Sequence, residues 1–103
     1  MKAIIDGKRY DTASATKIAS LWNGRSPSDF RHLCEELYKT NNGAYFLACE
    51  GGALTQYAES HGDLMASGEA IIPFTREEAI QWLEENKKAD ALEKEFPESV
   101  VDA

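Results

Sequence analysis

The segment spanning residues 33–50, LCEELYKTNNGAYFLACE, leaves this chain few ways to fold. Two runs of apolar and β-favouring residues flank Asn41-Asn42-Gly43. A three-residue loop of this composition is a type I turn closed by a left-handed glycine. That turn sets a register in which Leu37 faces Leu47, Tyr38 faces Phe46 and Lys39 faces Tyr45. Leu33, Leu37, Leu47 and Cys49 then share one face, and Tyr38 and Phe46 share the other. A hairpin that is apolar on both faces belongs in the centre of a sheet, with cover on both sides.

Other elements read outward from this hairpin. Residues 2–10 predict a second hairpin, with KAII and KRY joined by Asp6-Gly7, a dipeptide suited to the type I′ turn. Asp11 or Thr12 is placed to cap a helix carrying Ala15, Ile18, Ala19 and Trp22 at helical spacing and stopping at Asn23-Gly24. After an RSPSD loop and the central hairpin, residues 54–60 predict a helical turn or two, 61–68 a loop, and 69–74 a short strand. Pro73 marks that strand as an edge or as ending. Thr75 and Glu78 form a capping box for a helix presenting Ala79, Trp82, Leu83 and Asn86, and a second helix covers roughly 89–96. The acidic tail 97–103 is expected to fray. The order ββαββ(α)βαα across 103 residues describes one α+β domain, with two hairpins, a short strand and two or three helices.

Charge narrows the function. The chain carries a net charge of −7, and residues 41–74 contain Glu50, Glu59, Asp63 and Glu69 without a single Lys or Arg. Residues 75–103 add nine acids against four bases. Such a surface repels a phosphate backbone, which argues against direct nucleic-acid binding, and steers a basic protein surface toward it. Glu77, Glu84 and Glu85, separated by seven and eight positions, share one broad helix face. With the four acids above, they are the candidate protein-binding residues. No apolar run approaches the ~20 residues of a membrane span, and charge at Asp6 interrupts the start of the chain. The expectation is a cytosolic protein with no membrane contact.

Chemistry-bearing residues are sparse. Cys34 and Cys49 fall on opposite faces of the hairpin, so free thiols are expected rather than a disulfide. Two cysteines and two histidines give no metal-ligand spacing. His32 shares a strand face with Cys34 but lacks an oxyanion hole and an orienting group. His61 sits in a Gly-containing loop and reads as solvated. Glu35 and Glu36 point to opposite faces and form no acid–base pair with each other. In EGG, residues 50–52, the chain is expected to turn at Glu50, with Gly51 and Gly52 supplying positive φ. The two tryptophans are expected in the core, and Tyr38, Tyr45 and Tyr57 are suited to a core or an interface. No enzyme and no cofactor is expected.

The phrases KAIIDGKRYDT, ELYKTNNGAYFLACEGGALTQYA and IIPFTREEAIQWLEE together resemble small acidic orphan proteins of bacteria, phages and mobile elements. The resemblance spans roughly residues 2–96 and implies no established activity or catalytic residue. It implies accessory-gene company, in which short acidic proteins inhibit defence systems or regulate host machinery. Two readings follow. One is an interaction protein occupying a basic surface of a nucleic-acid-binding defence enzyme, of the anti-CRISPR or anti-restriction type. The alternative is a regulatory or antitoxin-like binding module, homodimeric through a strand edge or the Trp82 helix.

Overall fold

A computed structural model describes residues 1–103 as an α+β fold with most strands antiparallel. The strands are β1 (Lys2–Ile5), β2 (Lys8–Asp11), β3 (Thr16–Trp22), β4 (Leu33–Lys39), β5 (Tyr45–Gly51), β6 (Glu59–His61), β7 (Leu64–Ala66) and β8 (Gly68–Phe74). Two helices follow, α1 (Arg76–Glu85) and α2 (Ala89–Glu95), and then a 3-10 turn at Pro97–Ser99. The main sheet has the order β3-β4-β5-β8, while β1-β2 and β6-β7 are separate two-stranded ribbons.

The turn chemistry operates as the sequence indicates. Asp6 and Gly7 have φ of 51° and 76°, and β1 pairs with β2 from Ile5–Lys8 to Lys2–Asp11. In the central hairpin Gly43 has φ of 86°, and Leu37–Leu47, Tyr38–Phe46 and Lys39–Tyr45 pair in the expected register. Alternation then divides β5 between two cores. Tyr45, Leu47 and Cys49 join Leu37, Ala79, Trp82, Leu83 and Phe96 beneath the helices. Phe46 and Ala48 join Tyr38 and Tyr10 beneath the N-terminal ribbon. Phe46 stacks on Tyr38 with ring centroids 5.3 Å apart and meets Tyr10 edge-on at 5.6 Å.

Residues 12–22 are not a helix. Asp11 caps only a turn, its carboxylate accepting from the Ala13 amide at 2.9 Å, and the chain then extends as β3 along β4. The register steps from Lys17–Tyr38 to Ala19–Leu37, leaving Ile18 as a bulge. The bulge brings Ile18, Ala19 and Leu21 against the helix-side core. It therefore breaks strict alternation and yields a spacing at 15, 18, 19 and 22 that imitates a helix. Trp22, expected in the core, is 60% exposed.

Residues 54–60 are not helical either. Turns at Gly52–Thr55 and Thr55–Ala58 lead into β6, and residues expected to be a loop form the β6-β7 ribbon around Gly62-Asp63. β8 is an outer strand, as Pro73 indicates. The capping box is formed: Thr75 Oγ1 accepts from the Glu78 amide at 3.1 Å, and Glu78 Oε1 accepts from the Thr75 amide at 2.8 Å. Helix α1 ends with the Lys87 and Lys88 amides donating to the Glu84 and Leu83 carbonyls, and Lys87 itself is left-handed at φ 57°. The tail folds back far enough for Arg76 to pair with Glu98.

Candidate acidic interaction surface

Cross-strand partners in an antiparallel sheet point to the same side, so the register reads directly as rows. On the face opposite the helices, one row runs Lys17, Tyr38, Phe46, Pro73, and another runs Ser20, Glu36, Ala48, Ile71. A third runs Trp22, Cys34, Glu50, Glu69. The N-terminal ribbon, with Ile5 and Tyr10, and the turn after it, with Ala15, pack over the apolar end of this face. Its other end, with Ser20, Trp22, Glu50 and Glu69, stays exposed.

At that end, Glu50, Glu59 and Glu69 line one cleft of about 270 Å³ together with Pro27, His32, Ser67 and the glycines at 51, 52 and 68. No Lys or Arg lines it. His32 is 8% exposed. Its Nδ1 donates to the Arg25 carbonyl at 3.0 Å, and its Nε2 faces Glu50 Oε1 at 3.5 Å. The Arg25 carbonyl also accepts from Trp22 Nε1 at 2.8 Å, so one backbone oxygen orients both rings. Side chains of His, Cys, Asp and Glu do not gather anywhere in a group of three or more that could hold a metal ion.

Glu50 does not mark a turn. Strand β5 continues to Gly51, and the turn begins at Gly52. Neither Gly51 nor Gly52 has positive φ. Both are required by close approach: a Cβ at Gly51 would collide with the Thr55 side chain, and one at Gly52 would lie 2.5 Å from the Phe30 carbonyl oxygen. The 28–32 loop and the 52–55 turn are thereby pressed together behind the cleft, with the Leu54 amide donating to the Phe30 carbonyl at 2.8 Å.

The seven candidate acids do not form one surface. Glu50, Glu59 and Glu69 converge, whereas Asp63 sits at the tip of the β6-β7 ribbon. Glu77, Glu84 and Glu85 are exposed on α1, which packs its Ala79, Trp82 and Leu83 against the other face of the main sheet. Cys34 and Cys49 are free. Burial, with the nearby Glu36 and Glu50 carboxylates, pushes the Cys34 thiol up, which keeps it protonated and a poor nucleophile.

Sequence reasoning missed the buried carboxylate. Glu35 is 8% exposed, and its two oxygens accept from Trp82 Nε1 at 3.0 Å and from the Tyr57 hydroxyl. This triad ties α1, β4 and the 52–58 segment together, and that segment leads into Glu59 of the cleft. Leu33 and Leu37, two positions to either side of Glu35 and on the same face of a central strand, were the available signal. No helix is long and apolar enough to cross a membrane. No protein-family model matches the chain, and neither a curated protein nor a solved structure matches it.

Proposed function

We propose that this chain is a non-enzymatic interaction protein whose open acidic sheet end occupies a basic surface on a protein partner. The convergence of Glu50, Glu59 and Glu69 on one cleft free of Lys and Arg carries this reading. Three carboxylates so arranged, on a chain of net charge −7, attract cationic surfaces and slow every encounter with phosphate. A partner of matching character is an enzyme that keeps a basic groove for nucleic acid, as defence nucleases of phage hosts do. Occupying that groove would inhibit it.

The competing reading, a regulatory or antitoxin-like homodimer joined at a strand edge, has less support. Both outer strands of the main sheet carry features that blunt edge pairing, a bulge at Ile18 in β3 and Pro73 in β8.

Affinity capture from the native host at low ionic strength, followed by binding kinetics with the captured partner, tests the proposal. Association should slow about tenfold or more between low and high salt. Reversing Glu50 and Glu69 to lysine should slow it further, and reversing Glu84 and Glu85 on the far face should change it little. Binding indifferent to salt and to Glu50/Glu69 reversal refutes the reading.

A further inference from the structure

The uncovered end of the sheet carries more than negative charge. Trp22 stands at one end of the row Trp22, Cys34, Glu50, Glu69, with 60% of its surface exposed. An exposed tryptophan ordinarily samples several rotamers, but this indole is held by its 2.8 Å hydrogen bond to the Arg25 carbonyl. Its orientation is set before any partner arrives. The only base on this face of the main sheet, Lys17, is paired with Glu36 at 2.6 Å and lies two rows away. Between Trp22 and Glu50 lie the short side chain of Cys34, half-buried as a floor, and the buried His32 ring, which shares the Arg25 carbonyl with Trp22 and faces Glu50 Oε1 at 3.5 Å.

We infer that this row is a docking strip for an extended, arginine-bearing segment of a protein partner, with Trp22 as the stacking platform for one guanidinium. The inference rests on the acidic-docking reading above and adds the chemistry of the occupant. Neighbouring strands lie roughly 4.8 Å apart, so the row spans roughly 14 Å, and Trp22 is roughly 10 Å from Glu50. Alternate side chains of an extended peptide are spaced roughly 7 Å, within the flexible reach of arginine. One arginine can therefore lie on the indole while the next same-side arginine meets Glu50 and Glu69. Arginine fits better than lysine because its planar, weakly hydrated guanidinium both stacks on indole and pairs with carboxylates through its fork of donors.

The test uses a synthetic octapeptide of alternating arginine and glycine, its lysine counterpart, and the intact protein. The arginine peptide should change tryptophan emission on binding and should bind more tightly than the lysine peptide. Trp22→Ala should weaken it by roughly 2- to 30-fold and abolish the emission change, since Trp82 is buried. Trp22→Phe should recover part of the affinity, and an unchanged melting temperature in both variants shows that the fold is retained. Equal affinity for wild type and Trp22→Ala, equal affinity for the two peptides, or no binding of the arginine peptide overturns the inference. If Glu50→Lys/Glu69→Lys abolishes binding to the captured partner while Trp22→Ala leaves it unchanged, the acidic-docking reading stands and the arginine strip falls. If neither change affects partner binding, both fall.

Discussion

The indole nitrogen of Trp82 donates to the Glu35 carboxylate at 3.0 Å across the interface between α1 and the main sheet. The other carboxylate oxygen accepts from Tyr57, so one buried acid joins three segments far apart in the chain. Removing it strands two donors. Glu35→Ala should cost about 1–3 kcal/mol for each orphaned partner. Glu35→Gln should cost less, because its amide oxygen still accepts one of the two bonds. Urea unfolding measures both, and an Ala variant as stable as wild type would show that solvent reaches the triad.

The glycine at 52 is predicted to tolerate no side chain. A Cβ there would press on backbone, the carbonyl oxygens of Asp29 and Phe30, and backbone cannot swing aside as a flexible side chain can. Gly52→Ala should lower stability by about 1–3 kcal/mol. Thermal unfolding reads the loss, and an unshifted melting temperature would mean that the 28–32 loop is not held against the 52–55 turn.

Helix α1 offers opposite effects at its two ends. Thr75→Ala removes the acceptor of the Glu78 amide and should cost about 0.5–2 kcal/mol. Lys87 occupies the left-handed position of the C-terminal motif, where a Cβ is penalised and glycine is not. Lys87→Gly should therefore gain roughly 0.5–1 kcal/mol despite the greater freedom of glycine in the unfolded chain. Denaturant midpoints should move in opposite directions. A loss of stability in Lys87→Gly contradicts the assignment.

Alkali should unfold the protein through the helix-side core. Burial pushes the Cys49 thiol up to about 11, and burial with the adjacent Cys49 and Glu35 also raises the Tyr57 hydroxyl. A raised folded-state value means stability that is complete below the ordinary thiol value of 9.0. It is then lost as pH climbs toward the folded value, because the unfolded chain sheds its protons first. Urea midpoints should hold steady from pH 7 to about 8.5 and fall between roughly 9 and 11. A flat profile above pH 9 would be inconsistent with a buried Cys49. Thiol labelling at pH 8 should be slow in the folded protein, and both cysteines should react once it is unfolded, without reductant.

Signals confined to a few neighbouring residues were legible in the sequence. Asp6-Gly7 and Asn41-Asn42-Gly43 determine their turns because positive φ is a local demand, and a turn of known length sets the register of both flanking strands. Thr75 and Glu78 determine the start of α1 because both hydrogen bonds of the box close within one helical turn. The alternation in residues 44–50 determines that β5 serves two cores. Tertiary structure decided the rest. Residues 16–22 became a strand because pairing with β4 outweighed a weak local preference, and the bulge at Ile18 made an extended segment look helical. Trp22, expected in the core, is exposed, and Glu35 is buried, since exposure depends on which elements cover each end of the sheet. Gly52 is needed for a close approach by residues more than twenty positions away, which no torsional preference announces. The acidic surface has the same origin. Glu50 and Glu69 meet through the β5-β8 pairing and Glu59 through the placement of β6, whereas Glu77, Glu84 and Glu85 are carried to the opposite side by the apolar stripe of their own helix.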